Sequence, residues 1–149
     1  MSEQLLCNIP KGHCRYYLTL LERGNPVATR KTDNIVLLLG RQKQADILFG
    51  LDRQTTFQYV ALGSATNTPL NTDASLYNEI VRKKFTSISR SGLVVTCSVT
   101  LSTTEGNGVL SEIGNVSSGS MGTFYNRATF IPLAKTNTQD LLIVVKFLA

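Results

Sequence analysis

"LVVTCSVTL", residues 93–101, is the stretch that decides the fold class. Leu93, Val95, Cys97, Val99 and Leu101 fall on one side of an extended chain. Val94, Thr96, Ser98 and Thr100 fall on the other. Side chains alternate across a strand, so this pattern predicts a strand buried on one face. The segments after it repeat the theme. "TTEGNG" reads as a turn, "VLSEIGNV" as a second strand and "SSGSMG" as a loose turn. "TFYNRATFI" is a third strand, and "DLLIVVKFLA" a fourth beyond Pro132 and "KTNTQD". Consecutive strands joined by short turns predict a mainly β protein, an antiparallel sheet or β-sandwich. Ile143, Val145 and Phe147 share one face of the last strand, and Leu142, Val144 and Leu148 the other. Apolar residues on both faces predict cover on both sides.

Upstream, one or two short helices are expected. In "DNIVLLLGRQKQADILFG", Asp33 or Asn34 is placed to cap a helix and Gly50 to stop it. Ile35, Leu38, Leu39, Gln42, Ala45 and Leu48 keep a helical spacing, and Gly40 weakens it by about 1 kcal/mol relative to alanine. "FQYVALG" is a short strand. Gly63 sits where that strand turns sharply into the loop "SATNTPLNT", which predicts a positive φ. Thr72 or Asp73 would cap a second helix carrying Leu76, Tyr77, Ile80 and Val81 on one face. Its basic end, Arg82 to Lys84, suits the negative end of the helix dipole.

Residues 1–32 read differently from residues 33–149. "CRYYLTLLERGNPVATRK" holds a strand-like piece, Tyr16 to Leu21, then a Gly-Asn-Pro turn and a second short strand. It fits either a hairpin or an extended arm that orders against a neighbour. The polar breaks at Pro10 to Gly12 and Gly24 to Pro26 favour an arm less buried than the rest. Tyr16, Leu18, Leu20, Leu21, Arg30 and Lys31 would then be interface residues.

Composition narrows the function. A chain of 149 residues suits one domain burying roughly two-thirds of its unfolded surface. No apolar run approaches the ~20 residues of a membrane span. "MSEQLLCNIPKGHC" lacks the basic-then-apolar order of a signal peptide, so cytosolic folding is expected. The net charge of +5 is spread out: residues 1–60 hold eight Lys/Arg against five Asp/Glu, and residues 61–149 seven against five. With no long basic run, nucleic-acid binding through Arg82, Lys83, Lys84 and Arg90 is the lesser reading. Cys7, His13 and Cys14 do not supply the four ligands of a structural zinc, so free thiols and no metal are expected. The single histidine argues against a triad. Glu105 and Glu112 have no forced proximity as a carboxylate pair, and the glycine-containing loops Ser117 to Gly122 and Gly63 to Thr68 lack a phosphate-loop ending. No catalytic residue and no cofactor are expected.

One set of residues has a familiar order. "ALG" at Ala61 to Gly63 is followed by a Thr/Pro loop and an Asp-x-x-Leu-x-x-Glu stretch, here Asp73, Leu76 and Glu79. Later come Glu112, Ile113 and Gly114; then Gly122, Arg127, Ala128 and Phe130; then Pro132, Lys135 and Thr136. In this order the chain resembles the N-terminal module of tail-collar fibre proteins of tailed bacteriophages, over residues 33–149. The resemblance implies a virion structural protein assembled in the host cytoplasm. The extended distal domains of those fibres have no counterpart here. That points to a small homo-oligomeric subunit, first of all a capsid-decorating cement protein on the acidic exterior of the major capsid protein. A tail, baseplate or fibre adaptor is the alternative. The partners implied are other virion proteins, with no small-molecule substrate and no membrane.

Overall fold

The computed structural model describes residues 12–149. The described residues form ten strands and one helix. They are β1 (Cys14–Glu22), β2 (Asn25–Asp33), β3 (Ile35–Val36), α1 (Leu38–Leu48), β4 (Tyr59–Gly63), β5 (Glu79–Lys84), β6 (Ser87–Ser91), β7 (Val94–Leu101), β8 (Gly108–Val116), β9 (Asn126–Lys135) and β10 (Gln139–Leu148). Two five-stranded antiparallel sheets result, ordered β2-β1-β10-β7-β6 and β3-β9-β8-β4-β5. The protein is a mainly β sandwich with one short helix. No helix among the described residues is long and apolar enough to cross a membrane.

The alternation in β7 places Cys97, Val99 and Leu101 in the core, while Leu93 lies just outside the strand and is exposed. β10 is central in its sheet, between β1 and β7. Its residues Leu141, Ile143 and Val145 are buried. Leu142, Val144 and Leu148 are only half-buried, so the expected cover on both faces is complete on one. β9 runs through Pro132, which the sequence placed after the strand. Beyond Arg127 no strand pairs with the outer side of β9, so the missing N–H of proline breaks no ladder there.

Residues 1–32 are not an arm, as far as they are described. β1 and β2 form a hairpin through Arg23 and Gly24, both at positive φ. β1 then pairs with β10 from Cys14↔Phe147 to Glu22↔Gln139. Cys14, Tyr16, Leu18 and Leu20 alternate into the core, each at most 3% exposed. Three proposed interface residues, Tyr16, Leu18 and Leu20, are therefore unavailable to a partner. Leu21 is half-buried and Lys31 exposed. Arg30 crosses to the other sheet, donating to the carbonyls of Ile131 and Pro132. That link closes one side of the sandwich.

The first helix begins five residues later than its candidate cap. Asp33 pairs with Arg15, the Asn34 side chain accepts the Cys14 N–H, and β3 intervenes. Leu37 precedes the helix without a side-chain cap, and the helix stops at Gly50 with φ 75°. Its helical stripe is not a core face: of α1 only Gly40 is buried. Gly40 has a packing role, because a Cβ there would run into the Tyr125 backbone.

The second expected helix does not form. Residues 70–78 are a loop, and Glu79 to Lys84 make the strand β5 along β4. Tertiary hydrogen bonding overrides the local pattern: the N–H groups of Tyr77 and Asn78 bond to the Glu112 carboxylate rather than to preceding carbonyls. The Arg82 to Lys84 cluster thus has no helix end to complement. Arg82 pairs with Glu79 and Lys83 with Glu105.

Candidate functional site

Four of the motif residues, Gly63, Asp73, Glu112 and Arg127, meet beneath the β4–β5 loop. Glu112 on β8 and Arg127 on β9 are fully buried and paired, Arg127 Nε donating to Glu112 Oε1 at 3.1 Å. Arg127 Nη1 lies 3.3 Å from Asp73 Oδ2 and donates to the carbonyl of Asn67 at 2.9 Å. Glu112 also accepts the backbone N–H groups of Ala65, Tyr77 and Asn78. A buried ion pair needs partners for its remaining polar atoms, and here the loop backbone supplies those of Glu112 and of Arg127 Nη1. Tyr77 covers the cluster. Its ring lies 4.3 Å from the Arg127 guanidinium carbon, and its hydroxyl donates to Asp73 Oδ1 at 2.7 Å, which pushes the phenol pKa up. Arg127 Nη2 has no hydrogen-bond partner and sits within this stack.

Gly63 makes room for the cluster, and Gly114 for the neighbouring strand β9. A Cβ on Gly63 would collide with the Asn78 carbonyl oxygen and the Glu112 carboxylate; at Gly114 it would lie 2.5 Å from the Asn126 carbonyl oxygen. Gly63 does not have the positive φ expected of it. Close approach of backbone and carboxylate is what excludes a side chain there. The remaining motif residues lie apart. Leu76 packs with Leu37, Ala61, Val116 and Phe124, and Phe130 belongs to the main core. Glu79 is exposed on β5 and salt-bridged to Arg82.

The other candidate groups are spent on structure. Glu105 bonds Lys83 and the Ser102 N–H at the β7–β8 turn, which holds its carboxyl down at about 2, whereas Glu112 lies in the ion cluster. The loop at Ser117 to Gly122 offers the carbonyls of Ser118 and Met121 to Arg82. In the loop after Gly63, Ala65 is bonded in both directions, to Glu112 and Ser111. Cys14 and Cys97 are buried free thiols. Burial pushes Cys97 up to about 11 and Cys14 higher. Cys7 lies outside the described residues. Among the described residues no three His, Cys, Asp or Glu side chains lie together as metal ligands.

Two surface features were not found from the sequence. One is apolar exposure along α1 and its exit: Leu38, Leu39, Leu48, Phe49 and Leu51 are 44–81% exposed. The helical spacing showed these residues, but period alone does not say which side is covered. The other is a cavity of about 300 Å³ at one end of the sandwich, lined by residues including Ile47, Phe57, Ile88, Val95, Cys97 and Phe147. Its lining comes from eight elements or their flanks, so no local signal announces it. No family model, curated protein or solved structure matches the chain.

Proposed function

We propose that this protein is a non-enzymatic structural subunit of a tailed-phage virion that acts through protein–protein contacts, first of all as a capsid-decorating cement protein. The observation that carries this reading is the apolar surface of residues 38–51. Five large apolar side chains stand in solvent on an element that contributes almost nothing to its own core. Surfaces of that kind are interaction sites when they are contiguous and rimmed by polar residues, and Arg41, Gln42 and Arg53 provide exposed polar neighbours. The net charge of +5 suits an acidic shell exterior. The buried ion cluster fits the same reading, since its charges stabilise a loop and face no solvent.

The resemblance of the motif residues to tail-collar fibre modules favours a tail, baseplate or adaptor position as the second reading. Nucleic-acid binding is weaker, because Arg82 and Lys83 of the basic cluster are engaged by Glu79 and Glu105. The test is co-expression with the structural genes that neighbour it in its genome. Gradient-purified particles should carry the chain in stoichiometric amount, and shells lacking it should rupture at lower temperature. Labelling confined to the tail would select the second reading. A chain that never sediments with particles would overturn both.

A further inference from the structure

We infer that the free edge of β6 is a docking site for an extended acidic segment of a partner protein, which seats a bulky apolar side chain in the cavity beside Ile88. The warrant begins with cross-strand registry. Tyr16, Val145, Cys97 and Ile88 form one row across four neighbouring strands of the first sheet. Their exposures are 0%, 1%, 7% and 46%. The row is core at one end and open at the other. The second sheet does not reach over its last member, and the cavity of about 300 Å³ occupies that uncovered space. A cavity of about 150 Å³ holds a benzene ring, so this one accommodates a phenylalanine or leucine side chain with room to spare.

The backbone supplies the second half of the argument. The two edges of this sheet are treated differently. β2 carries Pro26, a register shift opposite it, and the Arg30 and Thr32 side-chain bonds to β9. Natural sheets protect their edges in such ways. Among the described residues β6 pairs with β7 alone, and all five of its residues are exposed. A strand laid along it would satisfy the open backbone groups. Every second side chain of that strand would fall on the face of Ile88, over the cavity. Strand addition with a side-chain pocket is a known mode of peptide recognition: the main chain provides affinity and the pocket specificity.

Charge selects the occupant. From residue 80 to residue 104 the chain has four Lys/Arg and no Asp/Glu. Among the described residues neither Lys84 nor Arg90 has a carboxylate partner, and Arg90 lies two residues from Ile88, on the same face. An acidic segment is attracted there. A second copy of this chain, bringing its own Lys84 and Arg90, is repelled. The inference rests on β6 and its cavity, not on the virion reading, and holds for a partner inside or outside a particle.

The test is selection of the full chain against a yeast-displayed library of random ten-residue peptides, followed by synthesis of the most enriched sequences. These should be acidic, with a large apolar residue in alternation. Binding them should slow amide exchange at those β6 N–H groups that point away from β7. Ile88→Asp and Arg90→Glu should each weaken binding by about tenfold or more. Both side chains lie on an exposed edge, so both variants should melt with the parent protein. Failure to enrich any peptide, enriched peptides that ignore the two substitutions, or outward-pointing β6 amides already protected in the free chain would each overturn the inference. So would a dimer in sedimentation that Ile88→Asp dissociates.

Discussion

Arg127 and Glu112, on adjacent strands, hold each other at 3.1 Å with neither side chain touching solvent. Removing one partner leaves the other as an uncompensated buried charge. Arg127→Met should therefore cost about 3–5 kcal/mol. Glu112→Ala should cost at least as much, because three loop N–H groups lose their acceptor as well. Urea unfolding at neutral pH checks both. The double mutant should be far less unstable than the sum of the singles. Additive losses would mean that the two residues act separately.

Gly40→Ala separates propensity from packing. Helix propensity alone predicts stabilisation of about 1 kcal/mol. The Tyr125 backbone occupies the place of the new methyl group, so overpacking should make the substitution destabilising by about 1–3 kcal/mol. Gly63→Ala should behave likewise, against Asn78 and Glu112, while Ser64→Ala should be mild. Thermal melts of the three variants give the order directly. A higher melting temperature for Gly40→Ala would contradict the close contact.

Deletion of residues 1–32 should abolish cooperative unfolding. It removes β1, which lies between β2 and β10, and with it the buried Tyr16, Leu18 and Leu20. Calorimetry on the truncated chain should show no sharp transition. A clean melt would mean that the remaining strands close without it.

Stability should fall in acid partly through Glu105. Its hydrogen bonds to Lys83 and Ser102 lower the carboxyl from 4.5 to about 2. A depressed folded value gives stabilisation that is complete above the unfolded value and disappears as pH drops through the folded one. The melting-temperature advantage of the parent over Glu105→Gln should shrink between pH 4.5 and pH 2. Both side chains of the pair remain about one-third exposed, so salt should reduce the same advantage at neutral pH. A gap independent of both pH and salt would exclude the ion pair as its cause.

In a Cys7→Ser background, thiol reagent at pH 8 should leave Cys14 and Cys97 unmodified until the protein opens, then count two. Both are buried, and burial keeps them protonated. A thiol that reacts at the rate of a free one in native buffer would show that the cavity floor opens easily.

What the sequence disclosed follows the range of the forces involved. β7 and β10 were legible because one face of each meets the core, and burial imposes period two on neighbouring residues; β8, buried without alternation from Leu110 to Val116, was read from the turns that bound it. β1 has the same period, but apolar Tyr17 and Leu21 on its outer face blurred it. Residues 73–84 were misread because Leu76, Tyr77, Ile80 and Val81 do follow a helical stripe. The carboxylate that claims their backbone lies 34 and 35 residues further on. The ion cluster could be listed residue by residue from the resemblance. Its convergence is tertiary and has no local signature.

The pairing of β1 with β10 also bears on how the chain must acquire its structure. Cys14 lies opposite Phe147, and the central strand of the first sheet is also its last to be made. Until residues 139–148 have emerged from the ribosome, Tyr16 and Leu18 have no neighbour on that side, and β7 lacks its partner as well. A nascent chain must therefore carry unsatisfied edges until residues 139–148 have been made. Closure of so long a loop places folding in the slow range of milliseconds to seconds typical of non-local β topologies. Loss of residues 139–148 would remove the strand that joins β1 to β7 and leave two separate hairpins.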